Sequence, residues 1–253
     1  MIGFGAGVLI GRQKLTSAGA AVANPTPVQF GVLQGVDLDL SFESKLLYGS
    51  KAFPVAAGRG KGKVSGKAQM ADFNGRIFGD LFLGSGTSAS IKAAVVDFAA
   101  SIPTTPFTVT ISPPSSGTFV ADFGVRNAST GLPMTRVASA PATGQYSVNE
   151  ATGVYTFAGA DTGLAVLISY EYSATSTSAR VSTISNQLMG YAPEFEVILS
   201  QPYSGKALTL RLVKCQPSKL TLPLKNDDFT MLDFEFDALA DASDVVGYIA
   251  TSE

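Results

Sequence analysis

Val36-Asp37-Leu38-Asp39-Leu40-Ser41-Phe42-Glu43 alternates between apolar and polar residues without a break. Successive side chains of a strand point to opposite sides, so Val36, Leu38, Leu40 and Phe42 share one face while Asp37, Asp39, Ser41 and Glu43 share the other. The same period returns near the C-terminus, where Leu232, Phe234 and Phe236 oppose Asp233, Glu235 and Asp237. Between these two stretches, Glu194–Leu199 reads as a strand, Pro202-Tyr203-Ser204-Gly205 as a turn, and Leu208, Leu210 and Leu212 as the second arm of a hairpin. Pro217 and Pro223 bracket a further short strand, and Val245–Ile249 supplies a last one. The chain is therefore expected to be mainly β, a β-sandwich or partial barrel.

A single segment breaks the period of two. Met70, Phe73, Ile77, Phe78, Leu81 and Phe82 recur at spacings of three and four, which predicts one flanking α-helix capped by Asp72 and stopped at Gly84. Gly75 and Gly79 each lower its intrinsic stability by about 1 kcal/mol, so tertiary packing must hold it. Upstream, Arg59, Lys61, Lys63 and Lys67 stand in a glycine-rich run that reads as a solvated basic hairpin loop.

From Pro103 the texture changes to short strands separated by turn residues: Thr108–Ile111, Thr118–Phe123, Arg136–Val137, Tyr146–Val148, Val154–Phe157 and Ala165–Tyr172. This predicts a small β-sandwich inserted at 103–176 between two parts of one larger domain, 1–102 and 177–253. The Gly- and Ala-rich residues 1–25, broken by Asn24-Pro25-Thr26-Pro27, carry no Lys or Arg before their apolar stretch. They are expected to form a first strand or arm rather than a cleaved leader.

Composition narrows the function. Charged residues are 15% of the chain, against about 25% in ordinary soluble domains. Apolar residues are 45% and mean hydropathy is +0.24, yet no run is long enough to span a bilayer. Apolar surface beyond what a monomer exposes is most simply placed in subunit interfaces. The net charge of −2 provides no basic field for nucleic acid.

Histidine is absent, which removes His-based triads and the commonest metal ligand. The single cysteine, Cys215, lies in an apolar strand pattern and reads as a small core residue. Carboxylate pairs such as Asp37/Asp39, Glu194/Glu196 and Asp233/Glu235/Asp237 sit on outward strand faces, where a solvated polar face is the expected reading. Asp122, Asp161 and Glu171 lack the dense oxygen pattern of a calcium loop. The sequence thus predicts no enzyme, no cofactor and no metal.

Three stretches resemble the major tail tube proteins of long-tailed bacteriophages. They are Lys45–Ser50 with Phe53-Pro54-Val55 and Gly60–Lys67, the predicted helix Phe73–Leu83, and Leu222–Asp241 ending in Val246-Gly247. Gly144–Tyr170 is similar to a β-module of phage structural proteins. The resemblance implies a subunit that self-assembles into stacked, hexameric rings, forming a virion tail tube for genome ejection. Assembly would take place in the host cytoplasm around the tape measure and other tail proteins, without membrane insertion. On that reading Asp37, Asp39, Glu43, Asp233, Glu235 and Asp237 form an acidic stripe lining the lumen, past which DNA moves without specific binding. Arg59, Lys61, Lys63 and Lys67 form a basic loop that meets an acidic face of a neighbour. An adhesin or carbohydrate-binding β-module, or a capsid decoration or connector protein, are the alternatives.

Overall fold

Alternating apolar residues become strands wherever one face finds a core. The computed structural model describes residues 5–252, so the first four residues of the glycine-rich N-terminal stretch lie outside the described residues. Two compact units form, one from Met1–Thr87 with Ser182–Glu253 and the other from Ser88–Val181. The first unit opens with β1 (Val8–Leu15), β2 (Val28–Gln29), β3 (Leu33–Tyr48) and β4 (Pro54–Met70). The second contains β5 (Ser90–Ser101), β6 (Thr108–Thr110), β7 (Thr118–Asn127), β8 (Thr135–Arg136), β9 (Gln145–Asn149), β10 (Val154–Phe157) and β11 (Ala165–Thr175). The chain then returns to the first unit as β12 (Glu194–Tyr203), β13 (Lys206–Thr221), β14 (Leu232–Ala238) and β15 (Gly247–Thr251).

In the first unit the strands form one antiparallel sheet ordered β2-β1-β12-β13-β14-β4-β3. The long β13 carries β15 beside its first half and β14 beside its second. Ser204 and Gly205, both at positive φ, make the two-residue turn that joins β12 to β13. Pro217 does not end β13, as its position suggested. The register shifts just after it, at a bulge, where a missing N–H is tolerated.

The sheet folds over a core of Phe30, Phe195, Phe234 and Phe236, all fully buried. Phe234 meets Phe30 and Phe195 edge-on, at centroid separations of 5.4 and 5.8 Å. Gly66 on β4 is needed here, because a Cβ at that position would lie 2.2 Å from the Phe236 ring. That glycine lets β4 run flat against the aromatic layer.

The expected α-helix is not present as such. A short π-helical turn, Ile77–Phe82, takes its place, with Leu83 N–H donating to the Phe78 carbonyl. Asp72 does not cap it; Asn74 Oδ1 instead accepts from Arg76 N–H at 3.0 Å. The apolar spacing was real, and Ile77 and Leu81 are buried. Gly79 packs where a Cβ would lie 2.3 Å from Thr87, so local packing sets the geometry over ordinary helix propensity.

The second unit is a sandwich of a four-stranded sheet (β6-β10-β9-β8) and a three-stranded one (β5-β11-β7), sharing a core that includes Tyr155, Ile168 and Tyr170. Asp122 on β7, whose side chain is almost wholly shielded, joins the two layers. It accepts hydrogen bonds from Tyr146 on β9 at 2.7 Å and Tyr155 on β10 at 2.8 Å. Burial, and then that carboxylate, push both phenols above their ordinary pKa.

The unit begins earlier than the sequence suggested, at 88 instead of 103, because β5 pairs along almost the whole of β11. Its two ends are tied together: Ser88 and Val181 exchange backbone hydrogen bonds, both at 3.1 Å. The insertion therefore leaves and re-enters the chain at one point. Residues 88–181 produced alone are expected to unfold in one cooperative thermal transition with strand-type circular dichroism. A non-cooperative melt would show that the unit's own core is insufficient.

Candidate functional site

Two features of the first unit stand out from ordinary strand packing: a charged sheet face and a long unsupported ribbon. The charged face is built by register. On β4, Gly66, Ala68 and Met70 point to the core, so Lys63, Ser65, Lys67 and Gln69 point outward. Asp37 of β3 and Glu235 of β14 flank Lys67, and Asp39 and Asp237 flank Ser65. The outward residues surround a shallow depression of about 450 Å³ that also takes in Lys219 of β13.

Ion pairs cross this face. Lys67 Nζ lies 2.9 Å from Asp233, Lys63 Nζ 3.2 Å from Asp237, and Lys219 Nζ 3.9 Å from Glu235. Gln69 donates to Asp233 at 3.2 Å. The hydrogen bond to Asp233 holds the Lys67 ammonium above its ordinary pKa against the opposing effect of desolvation. Among the described residues Asp37 and Asp39 make no ion pair, so five carboxylates face three lysines and the surface is mixed with an acidic excess. Exposed pairs of this kind contribute only about 0–1 kcal/mol each, and they serve to fix which residues stand side by side.

The structure thus redistributes the residues singled out by sequence. Asp37, Asp39, Asp233, Glu235 and Asp237 do come together on one face. Glu43 does not join them; it lies farther out on β3, beside Gly60. The basic run is no loop. It belongs to β4, and the actual turn lies between Tyr48 and Pro54. Lys63 and Lys67 are spent on Asp237 and Asp233 of the same chain, which leaves Arg59 and Lys61 as the outlying cations. Arg59 places its guanidinium 3.3 Å from the centre of the Phe42 ring, a cation–π contact on the apolar side.

The ribbon is the second feature. β14 covers β4 only from Val64 to Met70, whereas β3 and β4 stay paired out to Tyr48 and Pro54. Beyond Leu40 no third strand among the described residues pairs with the hairpin. Leu47, Tyr48, Phe53 and Val55 are exposed at 57–83%. Two-stranded ribbons of this length are at best marginal in water by themselves, and an apolar exposed one is a place for another chain to pack.

A third cluster was missed in the sequence. Glu196 stands on the outward side of β12, between Arg12 of β1 and Arg211 of β13, and is fully buried. Lys14 approaches to 4.0 Å. Burial alone would raise the Glu196 carboxyl, but hydrogen bonds and charge from Arg12 and Arg211 outweigh it and hold the group below the ordinary range. Cys215 packs in the core, and burial pushes its thiol up to about 12.

The carboxylates weighed for calcium have other partners: Asp122 the two tyrosines, Asp161 the Gly144 N–H at 2.9 Å, and Glu171 the Lys92 ammonium at 3.9 Å. Among the described residues no group of three or more acidic or cysteine side chains is placed to hold a metal ion. No described helix is long and apolar enough to cross a membrane. No protein-family model matches the chain, and no curated protein matches it significantly.

Proposed function

We propose that this protein is a structural subunit that associates with copies of itself into rings, and that the rings stack into the tube of a bacteriophage tail. The observation that carries the proposal is the β3–β4 ribbon, on which Leu46, Leu47, Tyr48, Phe53 and Val55 are exposed among the described residues. Burying such side chains is worth about 1.5–3 kcal/mol each, a strong drive towards association. A hairpin used this way makes a contact between unlike surfaces, and such contacts propagate into closed rings or open filaments.

The charged face on β3, β4 and β14 suits the wall of a conduit. Lysines tied to Asp233 and Asp237 are held from phosphates, and the two extra carboxylates leave a weak repulsion towards DNA. At about 4 Å in water that repulsion is only about 1 kcal/mol per pair of charges, enough to discourage sticking without blocking passage.

Negative-stain electron microscopy of the untagged protein at rising concentration tests the proposal. Hollow rings or tubes of uniform diameter are expected. A monomer at every concentration, checked by sedimentation velocity, would sink it.

A further inference from the structure

Charge is not spread evenly over the first unit. The face of β3, β4 and β14 has an acidic excess, whereas the outward side of β1, β12 and the first half of β13 is the reverse. There Arg12, Lys14 and Arg211 surround one carboxylate, Glu196. The neighbouring Lys214 and Glu194, 2.8 Å apart, cancel each other. Asp241 is near enough to feel Lys14, but its Oδ1 accepts from the Ser243 and Val245 N–H groups at 2.8 and 3.0 Å. Counting it as well, four cations face three carboxylates, so the cluster stays positive on a chain whose net charge is −2.

Solvent reaches the cations and not the carboxylate between them. Glu196 is fully buried, while Arg12, Lys14 and Arg211 keep 40%, 41% and 48% of their side-chain surface exposed. Glu196 thus holds one guanidinium on each of its oxygens, Arg12 through Nη2 and Arg211 through Nε. That arrangement leaves donors over. Among the described residues Arg12 Nη1 and both Nη atoms of Arg211 make no hydrogen bond, and Arg12 Nε is shielded from solvent without an acceptor. Planar N–H forks already fixed by a buried carboxylate lose little freedom when they meet a ligand, and Lys14 adds a point charge beside them. A carboxylate offers two oxygens to such a donor set, whereas a phosphate group offers at least three on one centre.

We infer that Arg12, Lys14 and Arg211 form a binding site for a phosphate group, with Glu196 as the buried support that aims the two arginines. The site lies within one chain, so its occupancy is independent of self-association. Free phosphate and the backbone of a nucleic acid offer the same chemistry, and the test separates these two sources.

Inorganic phosphate titrated into the full chain by calorimetry, against sodium chloride of equal ionic strength, is expected to give saturable heat. Lys14→Gln, which removes one partly exposed charge, should weaken binding roughly fivefold. Arg211→Lys keeps the charge but loses the fork, and a comparable weakening is expected. Lys63→Gln, on the acidic face, should bind as the unaltered chain does. Circular dichroism checks that each variant is folded. No saturable heat, or unaltered affinity in both Lys14→Gln and Arg211→Lys, would overturn the site. The series is then repeated with a short DNA duplex. Duplex binding that falls in the same two variants assigns the site to a nucleic-acid backbone. A duplex that does not bind, or that binds all variants equally, assigns it to free phosphate groups.

Discussion

Replacing Arg12 and Arg211 together by methionine is expected to lower stability by about 3 kcal/mol at neutral pH, the lower end of the cost of stranding a buried charge. Glu196 has no exposed surface, and in the double variant its carboxylate keeps only Lys14, 4.0 Å away. Either single replacement should cost clearly less, since one guanidinium remains. The pH dependence carries the sign. In the native protein the Glu196 pKa is depressed, so its contribution is complete above the unfolded carboxyl value of about 4.3 and is lost as pH falls through the lower native value. In the double variant desolvation dominates and the carboxyl takes up a proton readily. The gap between the two proteins should therefore be widest at pH 7 and close in acid. Urea titrations at pH 7 and pH 4 measure this. A loss below about 1 kcal/mol, or a gap independent of pH, would show that the arginines only drape over the sheet.

Cutting the ribbon back is expected to turn an assembling protein into a monomer that still folds. Residues 42–62 replaced by Asn-Gly would join Ser41 to Lys63, which are already paired across β3 and β4. None of the removed side chains belongs to the core cluster, so the melting transition should change little. Association, by contrast, should be lost at all accessible concentrations, as sedimentation velocity would show. The cut also removes a net positive segment, and the remaining acidic chains repel one another more strongly. If the shortened protein built the same particles as the full chain, the ribbon would not be the joint.

The two acidic rows illustrate what was legible in the residues and what was not. Alternation in Val36–Glu43 and Leu232–Asp237 assigned each side chain to a face, and β14 buries Phe234 and Phe236 as that pattern requires. It did not reveal that β4 lies between the rows. The run Arg59–Lys67 looks like a loop because glycine and lysine disfavour strands locally, yet Gly66 is there to clear the Phe236 ring. For Glu196, burial between two arginines was invisible for a similar reason. Its outward phase predicts solvent, and its burial is created by Arg12, 184 residues away in the chain.

By itself, then, the sequence determined a mainly β chain, the faces of its strands, the turn at Ser204-Gly205 and six of the seven strands of the inserted sandwich. Each of these is set by neighbours a few residues apart through side-chain period and backbone preference. Only the tertiary structure decided which strands stand side by side, which carboxylates find a cation, where a helix widens into a π-turn, and that the hairpin outruns its sheet. Those depend on packing and charge between residues far apart in the chain, for which local periodicity carries no information.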